Sequence, residues 1–173
     1  VGCHTSPHVL EFTERARFNC GDATELQLLP FFQQVERVRS QDSEISLTYF
    51  EFTLLVFMCW FDAQNPDVVV LEVGLGGRLD ATNVFDSTVA VITSVDIDHV
   101  GFLGDTREAI GFEKAGIFRE GHAAICADAN PPQSLIDYAE QIGADLKLIN
   151  RDFRYQVIQD DQRKQWRFIG EHT

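Results

Sequence analysis

The chain has 173 residues, 45% of them hydrophobic and 24% charged, with a formal net charge of −13. That length suffices for one domain with a core, burying roughly 70% of the unfolded surface, and charges of both signs exclude a disordered chain. The acidic balance excludes a nucleic-acid or anionic-membrane surface, because both select lysine and arginine.

Val1 to Cys3 reads as a short strand followed by the loop His4-Thr5-Ser6-Pro7-His8. No signal peptide and no methionine opens the chain, and Val1 begins inside ordered-looking sequence, so a segment of a longer protein is expected. From Leu28 to Arg39 the residues Leu28, Leu29, Phe31, Phe32, Val35 and Val38 recur at helical spacing. A second helix is predicted from Thr48 to Gln64, apolar nearly all round and therefore buried on most sides. Its stretch Leu54 to Phe61 is followed closely by Asp62, and no apolar run reaches the roughly 20 residues of a membrane span. Asn65-Pro66 ends that helix.

Asp67 to Val73 is a continuous apolar run apart from its charged ends, the pattern of a parallel strand covered on both faces. Val89 to Thr93 repeats it. A helix from Thr106 to Phe118 follows, capped by Asp105 or Thr106. Ala123 to Cys126 is a strand, Pro131-Pro132 opens a helix that Gly143 closes, and Leu146 to Ile149 returns as a strand. This alternation implies an α/β fold with a doubly wound, mostly parallel sheet and helices on both faces. Over 153–173 the pattern changes: Phe153 to Ile158 and Gln165 to Ile169 flank a polar turn, an antiparallel hairpin. Cys3, Cys20, Cys59 and Cys126 lie far apart without CxxC spacing, as expected of reduced thiols in a cytoplasmic protein.

Gly74-Leu75-Gly76-Gly77 sits at the carboxyl end of a predicted strand, where α/β folds place ligands. A dinucleotide fingerprint needs glycine at position 79, which is Leu79, and no Gly-Lys pair exists for a phosphate-binding loop of the G-x-x-x-x-G-K-[ST] kind. Glu72 follows an apolar run, which places a carboxylate near the buried end of a strand, where it pairs, neutralises or binds a metal. The competing reading has Glu72 already past the strand, paired with Arg78 or capping a turn. Ser94-Val95-Asp96-Ile97-Asp98-His99 ends the next strand, so Asp96, Asp98 and His99 are expected on the same rim. Oxygen ligands there favour Mg²⁺ or Mn²⁺, and an imidazole moves the preference towards Mn²⁺; alternatively these are solvated turn residues. Lys114 lies on a mainly apolar helix beside Gly111, Ala115 and Gly116, either as a solvated helical lysine or as an amine that another group can approach.

His4 to His8 with Phe12-Thr13-Glu14-Arg15, Ser46 to Phe52, Leu71 to Asn83, Asp98-His99 with Leu103-Gly104, and Glu113 to Ile117 stand in one order over residues 1 to 130. Together they resemble the folylpolyglutamate synthase/dihydrofolate synthase family; Leu-Glu-Val-Gly-Leu-Gly-Gly-Arg-Leu-Asp-Ala-Thr-Asn is the most specific block. Leu47-Thr48-Tyr49-Phe50 resembles the bifunctional bacterial members more than single-activity ones. Mur ligases share the implied fold and mechanism but not that block.

The resemblance implies an ATP-dependent amide ligase of folate biosynthesis that adds L-glutamate to dihydropteroate or a reduced folate through an acyl phosphate. It implies that residues 1–173 are part of the ATP-binding domain, without its upstream phosphate loop and the following carboxy-terminal domain, and inactive alone. Ser6, Glu72 and His99 are implied ligands of Mg²⁺, and Lys114 matches a lysine that is carbamylated in the family and serves the second metal. His99 and Lys114 are thus the implied catalytic residues. Thr48, Tyr49, Phe50 and Glu51, with Leu79, Asp80 and Ala81, match the pocket for the pterin-bearing substrate. A monomeric, cytoplasmic parent acting on small molecules, with no nucleic-acid or membrane partner, is expected. A non-catalytic pterin- or metal-binding module and a Mur-type amino-acid ligase are the alternatives.

Overall fold

The computed structural model describes residues 1–42, 45–160 and 163–170. The chain divides into two compact units, Val1–Leu75 with Asp80–Val84, and Gly76–Leu79 with Phe85–Thr173.

In the first unit, β1 (Gly2–His4) lies between β2 (Ala16–Phe18), antiparallel, and β4 (Val69–Leu71), parallel; β3 (Gly21–Asp22) extends the order to β3-β2-β1-β4. The strands β2 and β3 were not expected, because stretches of three and two residues carry no periodicity. Helix α1 (Glu25–Arg39) begins three residues before its apolar stripe. Thr24 and Gln27 form a reciprocal capping box there, and Pro30 lies inside the helix in its second turn, where it leaves the Leu26 carbonyl without its intrahelical donor. Helix α2 (Tyr49–Gln64) is started by the same device between Thr48 and Glu51, and ends at Asn65 in the left-handed region at φ 49°. Its residues Val56, Phe57, Trp60 and Phe61 pack with Ala16, Leu28 and Val35 into one core. Phe57 is fully enclosed, so Phe57→Ala is expected to cost about 3–5 kcal/mol by leaving a cavity; chemical denaturation of the full-length protein measures it.

In the second unit, β5 (Val89–Ile92), β6 (Ala123–Cys126) and β7 (Asp145–Leu148) form a parallel sheet in that order. The parallel sheet is flanked by helices: Ala90, Ile92, Ala124, Cys126 and Leu148 pack with Ile110 and Ala115 of α4 (Arg107–Ala115) and Leu135 and Ala139 of α5 (Gln133–Ile142). Gly143 closes α5 at φ 72°, the residue that takes the left-handed conformation at least cost. A short helix, α3 (Val100–Leu103), precedes α4 and was not expected. The antiparallel hairpin is β8 (Phe153–Asp160) with β9 (Arg163–Gly170); residues 161–162 of its expected turn lie outside the described residues.

The continuous apolar runs are enclosed unequally. Val70, Val89 and Val91 keep about half their surface exposed, at 51%, 50% and 54%, while their neighbours Ala90 and Ile92 are buried. Strand β4 has one hydrogen-bonded neighbour among the described residues and stands at the edge of its sheet. No helix among the described residues is long and apolar enough to cross a membrane.

Candidate functional site

Strand β4 stops at Leu71, and Glu72 is the first residue beyond it. The strand ends because the Glu72 N–H makes the last ladder bond, to the His4 carbonyl at 3.0 Å. Glu72 is exposed rather than buried in the sheet, the position that the competing reading gives it. One Glu72 carboxylate oxygen accepts the Ser6 N–H at 2.7 Å. Parallel pairing of β1 with β4 thus brings Ser6 and Glu72 together from 66 residues apart.

The Ser6 loop is held by its own chain. Glu14 accepts the N–H groups of Val9, Leu10 and Glu11 at 2.7–2.9 Å. The N–H donors of Val9, Glu11 and Leu10 lower the Glu14 carboxyl to about 2, from an ordinary 4.5. A carboxyl lowered on folding stabilises above its unfolded value and loses that contribution as pH falls. Amide exchange at Val9 to Glu11 is therefore expected to accelerate as pH drops from about 4.5 towards about 2, beyond the intrinsic trend; Glu14→Gln removes this step.

Behind the loop, Arg15 is a nearly buried guanidinium whose Nε donates to His8 Nδ1 at 2.8 Å and which lies 5.6 Å from the Tyr49 ring centroid. His4 is 1% exposed; its Nδ1 faces the Arg15 carbonyl at 2.8 Å and must carry the proton, since a carbonyl only accepts. Its Nε2 is then a buried acceptor without a donor among the described residues. Burial keeps the His4 imidazole below its ordinary pKa and hence neutral.

Of the residues expected in the substrate pocket, Thr48, Tyr49, Phe50, Glu51, Asp80 and Ala81 lie in the first unit. The Phe50 ring lies 5.9 Å from the His4 ring, and Gly74 is seated so closely against Phe50 and the Asp80 carboxylate that a Cβ there would lie 3.0 and 3.1 Å from them. Thr48 and Glu51 are spent on capping α2: the Glu51 carboxylate accepts the Thr48 N–H at 2.7 Å, which lowers its pKa. Tyr49 is exposed. A cavity of about 310 Å³ is lined by Thr48 and Tyr49 with Phe32, Arg39, Ser46 and Phe52. Asp80 is occupied on both oxygens. Oδ2 accepts the N–H of Gly74 (3.1 Å) and Leu75 (2.9 Å), and Oδ1 accepts the N–H (2.9 Å) and hydroxyl (2.6 Å) of Thr82. Ala81 follows in the 3₁₀ turn Ala81–Val84.

In the second unit, Leu79 is 80% exposed. Residues 76–78 rest on the end of α4. The Arg78 N–H donates to the Glu113 carbonyl at 2.8 Å, its guanidinium pairs with the Glu113 carboxylate at 2.9 Å, and Gly77 approaches the carbonyls of Glu113 and Lys114 too closely for any side chain. Lys114 is half-buried next to buried Gly111, Ala115 and Gly116. Among the described residues its amine has neither a hydrogen bond nor a carboxylate within 4 Å.

His99 is the N-cap of α3 in the left-handed region at φ 53°, and its carbonyl accepts the N–H of Phe102 and Leu103. Its Nδ1 faces the Asp98 carboxylate at 3.2 Å, the orientation in which a metal-binding imidazole keeps Nε2 for the metal. Among the described residues no three His, Cys, Asp or Glu side chains cluster as a metal site. The donor types nevertheless suit a hard divalent cation: Glu72 has one carboxylate oxygen that Ser6 does not engage, and, in the second unit, His99 offers an imidazole oriented by Asp98. Arg15, His4 and Gly77 stood in motifs of the sequence without an assigned role, and Asp128, two residues past the end of β6, was not singled out.

Residues 33–166 match the model of the Mur ligase middle domain. The dihydrofolate synthase/folylpolyglutamate synthase of Haemophilus influenzae is 46% identical over 166 residues, which are 96% of this chain and 37% of that protein. A solved structure of Escherichia coli FolC in complex with ADP superposes with a TM-score of 0.92 at 42% identity, covering 99% of this chain and 40% of that one. The bifunctional folylpolyglutamate synthase/dihydrofolate synthase of Yersinia pestis, complexed with AMPPNP and a Mn ion, gives 0.89 at 42%, with the same coverage of each chain. The chain spans about two fifths of the length of these relatives, and with the model matching residues 33–166, well over half of it, the chain belongs to the Mur ligase middle-domain family.

Proposed function

We propose that the parent protein is an ATP-dependent ligase that joins L-glutamate to dihydropteroate or a reduced folate, and that this segment supplies its pterin-side wall and part of its phosphate-side chemistry. The observation that carries the reading is the seating of Phe50 and Asp80 against Gly74 on the strand end that also presents Glu72 to Ser6. Phe50 offers an aromatic face for a pterin. The order of motifs and the relatives' names, dihydrofolate synthase/folylpolyglutamate synthase, support the same substrate class.

Ser6, Glu72 and His99 are the proposed ligands of Mg²⁺ or Mn²⁺, which supplies neutralisation of phosphate charge when bound. The chain's own residues prepare for it: the Ser6 N–H fixes one Glu72 oxygen, and Asp98 orients His99. Lys114 is proposed to be carbamylated. A neutral amine adds to carbon dioxide and releases a proton, which leaves an anionic carbamate, and small neighbours at Gly111, Ala115 and Gly116 leave room for it. In the reaction the substrate carboxylate attacks the γ-phosphate of ATP, ADP leaves, and the glutamate amine then displaces phosphate from the acyl phosphate. We propose a monomeric, cytoplasmic parent.

The test incubates the full-length protein with ATP, dihydropteroate, L-glutamate and Mg²⁺ and measures phosphate and dihydrofolate. Stoichiometric release of both, dependent on all three substrates, is expected. Pterin binding without ATP turnover would return the binding-module reading, and turnover with another carboxylate but not a pterin the Mur-type one.

A further inference from the structure

Beyond β5 the backbone leaves the sheet. The last bond between β5 and β6 in this region is Ala127 N–H to the Ile92 carbonyl at 2.8 Å, so Val95, only three residues later and 1% exposed, must satisfy its N–H by other means. The Asp128 carboxylate accepts it, at 2.7 Å through Oδ2. Asp128 is itself 8% exposed. Its Oδ1 accepts the Asn130 N–H at 2.9 Å, and Arg107 Nη2, from the first residue of α4, forks across both oxygens at 3.1 and 3.2 Å and reaches the Asn130 carbonyl at 2.8 Å. Burial would raise this carboxyl, but the Val95 and Asn130 N–H groups and the Arg107 charge outweigh it and hold it below the ordinary range. The group is thus a buried anion compensated by three donors.

Three residues, Asp96, Ile97 and Asp98, separate Val95 from His99, and they are tethered at both ends. Asp96 and Asp98 each accept the N–H of the following residue, and the His99 carbonyl caps α3, whose Leu103 packs on the core of this unit. With Val95 held, the chain has little freedom in where it delivers His99. We propose that Asp128 is a positioning residue for His99, acting through the Val95 backbone and tying the His99 segment to the start of α4, the helix that carries Lys114. The proposal rests on the cation-ligand role of His99 given above and adds a residue to it.

The experiment uses the full-length protein with Asp128→Ala, Asp128→Asn, His99→Ala and the Asp128→Ala/His99→Ala double variant. Mn²⁺ affinity is read by electron paramagnetic resonance well below the melting temperature, and amide exchange over Val95 to His99 is read without metal. Asp128→Ala is expected to weaken Mn²⁺ binding at least about tenfold, in the range of outer-sphere substitutions at metal sites. It should also speed exchange from Val95 through His99, not at Val95 alone. Asp128→Asn keeps one oxygen for the Val95 N–H and should stay within about threefold of wild type. In the His99→Ala background, Asp128→Ala should cost no further Mn²⁺ affinity, because residues acting through one another are not additive. A lowered melting temperature with unchanged Mn²⁺ affinity overturns the proposal, as does an equal loss in both backgrounds. If Asp128→Ala does not fold, Arg107→Gln, which loosens the same carboxylate, is read in its place and should change exchange at Val95 to His99 in the same direction. Failure of wild type to bind Mn²⁺, or wild-type affinity in His99→Ala, would remove the cation role of His99 itself. The exchange data still decide whether Asp128 holds the segment, and unchanged exchange at His99 ends the proposal.

Discussion

Lys114→Ala in the full-length protein is expected to reduce kcat about 10²- to 10³-fold while the melting temperature stays within about 2 °C of wild type. The magnitude is that of removing one charged group aimed at a reacting centre, and the proposed carbamate is such a group. The small stability effect follows from the surroundings: the amine makes no ion pair or hydrogen bond among the described residues, so truncation breaks nothing in the fold. Alanine is also the best helix former, which suits the last turn of α4. Steady-state phosphate release with a thermal melt on the same sample measures both. If the loss is due to the missing carbamate, added short carboxylic acids should restore part of the activity, whereas bicarbonate should not. Wild-type turnover in Lys114→Ala would make the residue an ordinary solvated lysine and remove it from the chemistry.

Asp80→Ala is expected to raise the Michaelis constant for dihydropteroate about tenfold to a hundredfold, with that for ATP nearly unchanged, and also to lower the melting temperature by about 4–8 °C. The first figure corresponds to roughly 1.5–3 kcal/mol, the range of a hydrogen bond to a charged group. The second comes from the geometry. Asp80 joins the Gly74-Leu75 backbone to Thr82 with four hydrogen bonds, two on each oxygen. Losing them costs about 2 kcal/mol, and each kcal/mol shifts a domain of this size by about 2–4 °C. Gly74 lies against Phe50, so collapse of this turn disturbs the aromatic face of the proposed pocket as well. Asp80→Asn separates direct contact from turn formation. An amide accepts on one oxygen only and so cannot hold Thr82 and the Gly74-Leu75 backbone together. Melting and pterin affinity falling in parallel across Ala and Asn assign Asp80 to the turn; pterin affinity falling alone assigns it to the ligand. Unaltered dihydropteroate kinetics with reduced melting would remove it from substrate recognition.

What the sequence determined by itself is local. Helices α1, α2, α4 and α5 were legible because their apolar spacing, capping residues and terminal glycine or asparagine act within a few neighbours. Strands β5, β6 and β7 were legible as apolar runs between helices, and the hairpin as two runs about a polar turn. The motif blocks gave the family and named Ser6, Glu72, Asp80, His99 and Lys114 as residues to examine. Tertiary structure decided what depends on pairing across sequence. Strands β2 and β3 exist because β1 offers them an edge, not because their few residues prefer extension. Glu72 looked like a buried carboxylate because it follows an apolar run, yet β4 ends one residue earlier, where its partner β1 ends, and leaves it exposed. Asp80 looked like an open acceptor until four donors from positions 74, 75 and 82 were seen around it. Asp128 was not singled out in the sequence, and only the parallel pairing of β5 with β6 sets its carboxylate against the Val95 N–H, 33 residues away in the chain. Hydrogen-bond donors and acceptors carry no memory of sequence distance, so their satisfaction is settled only when the backbone has folded.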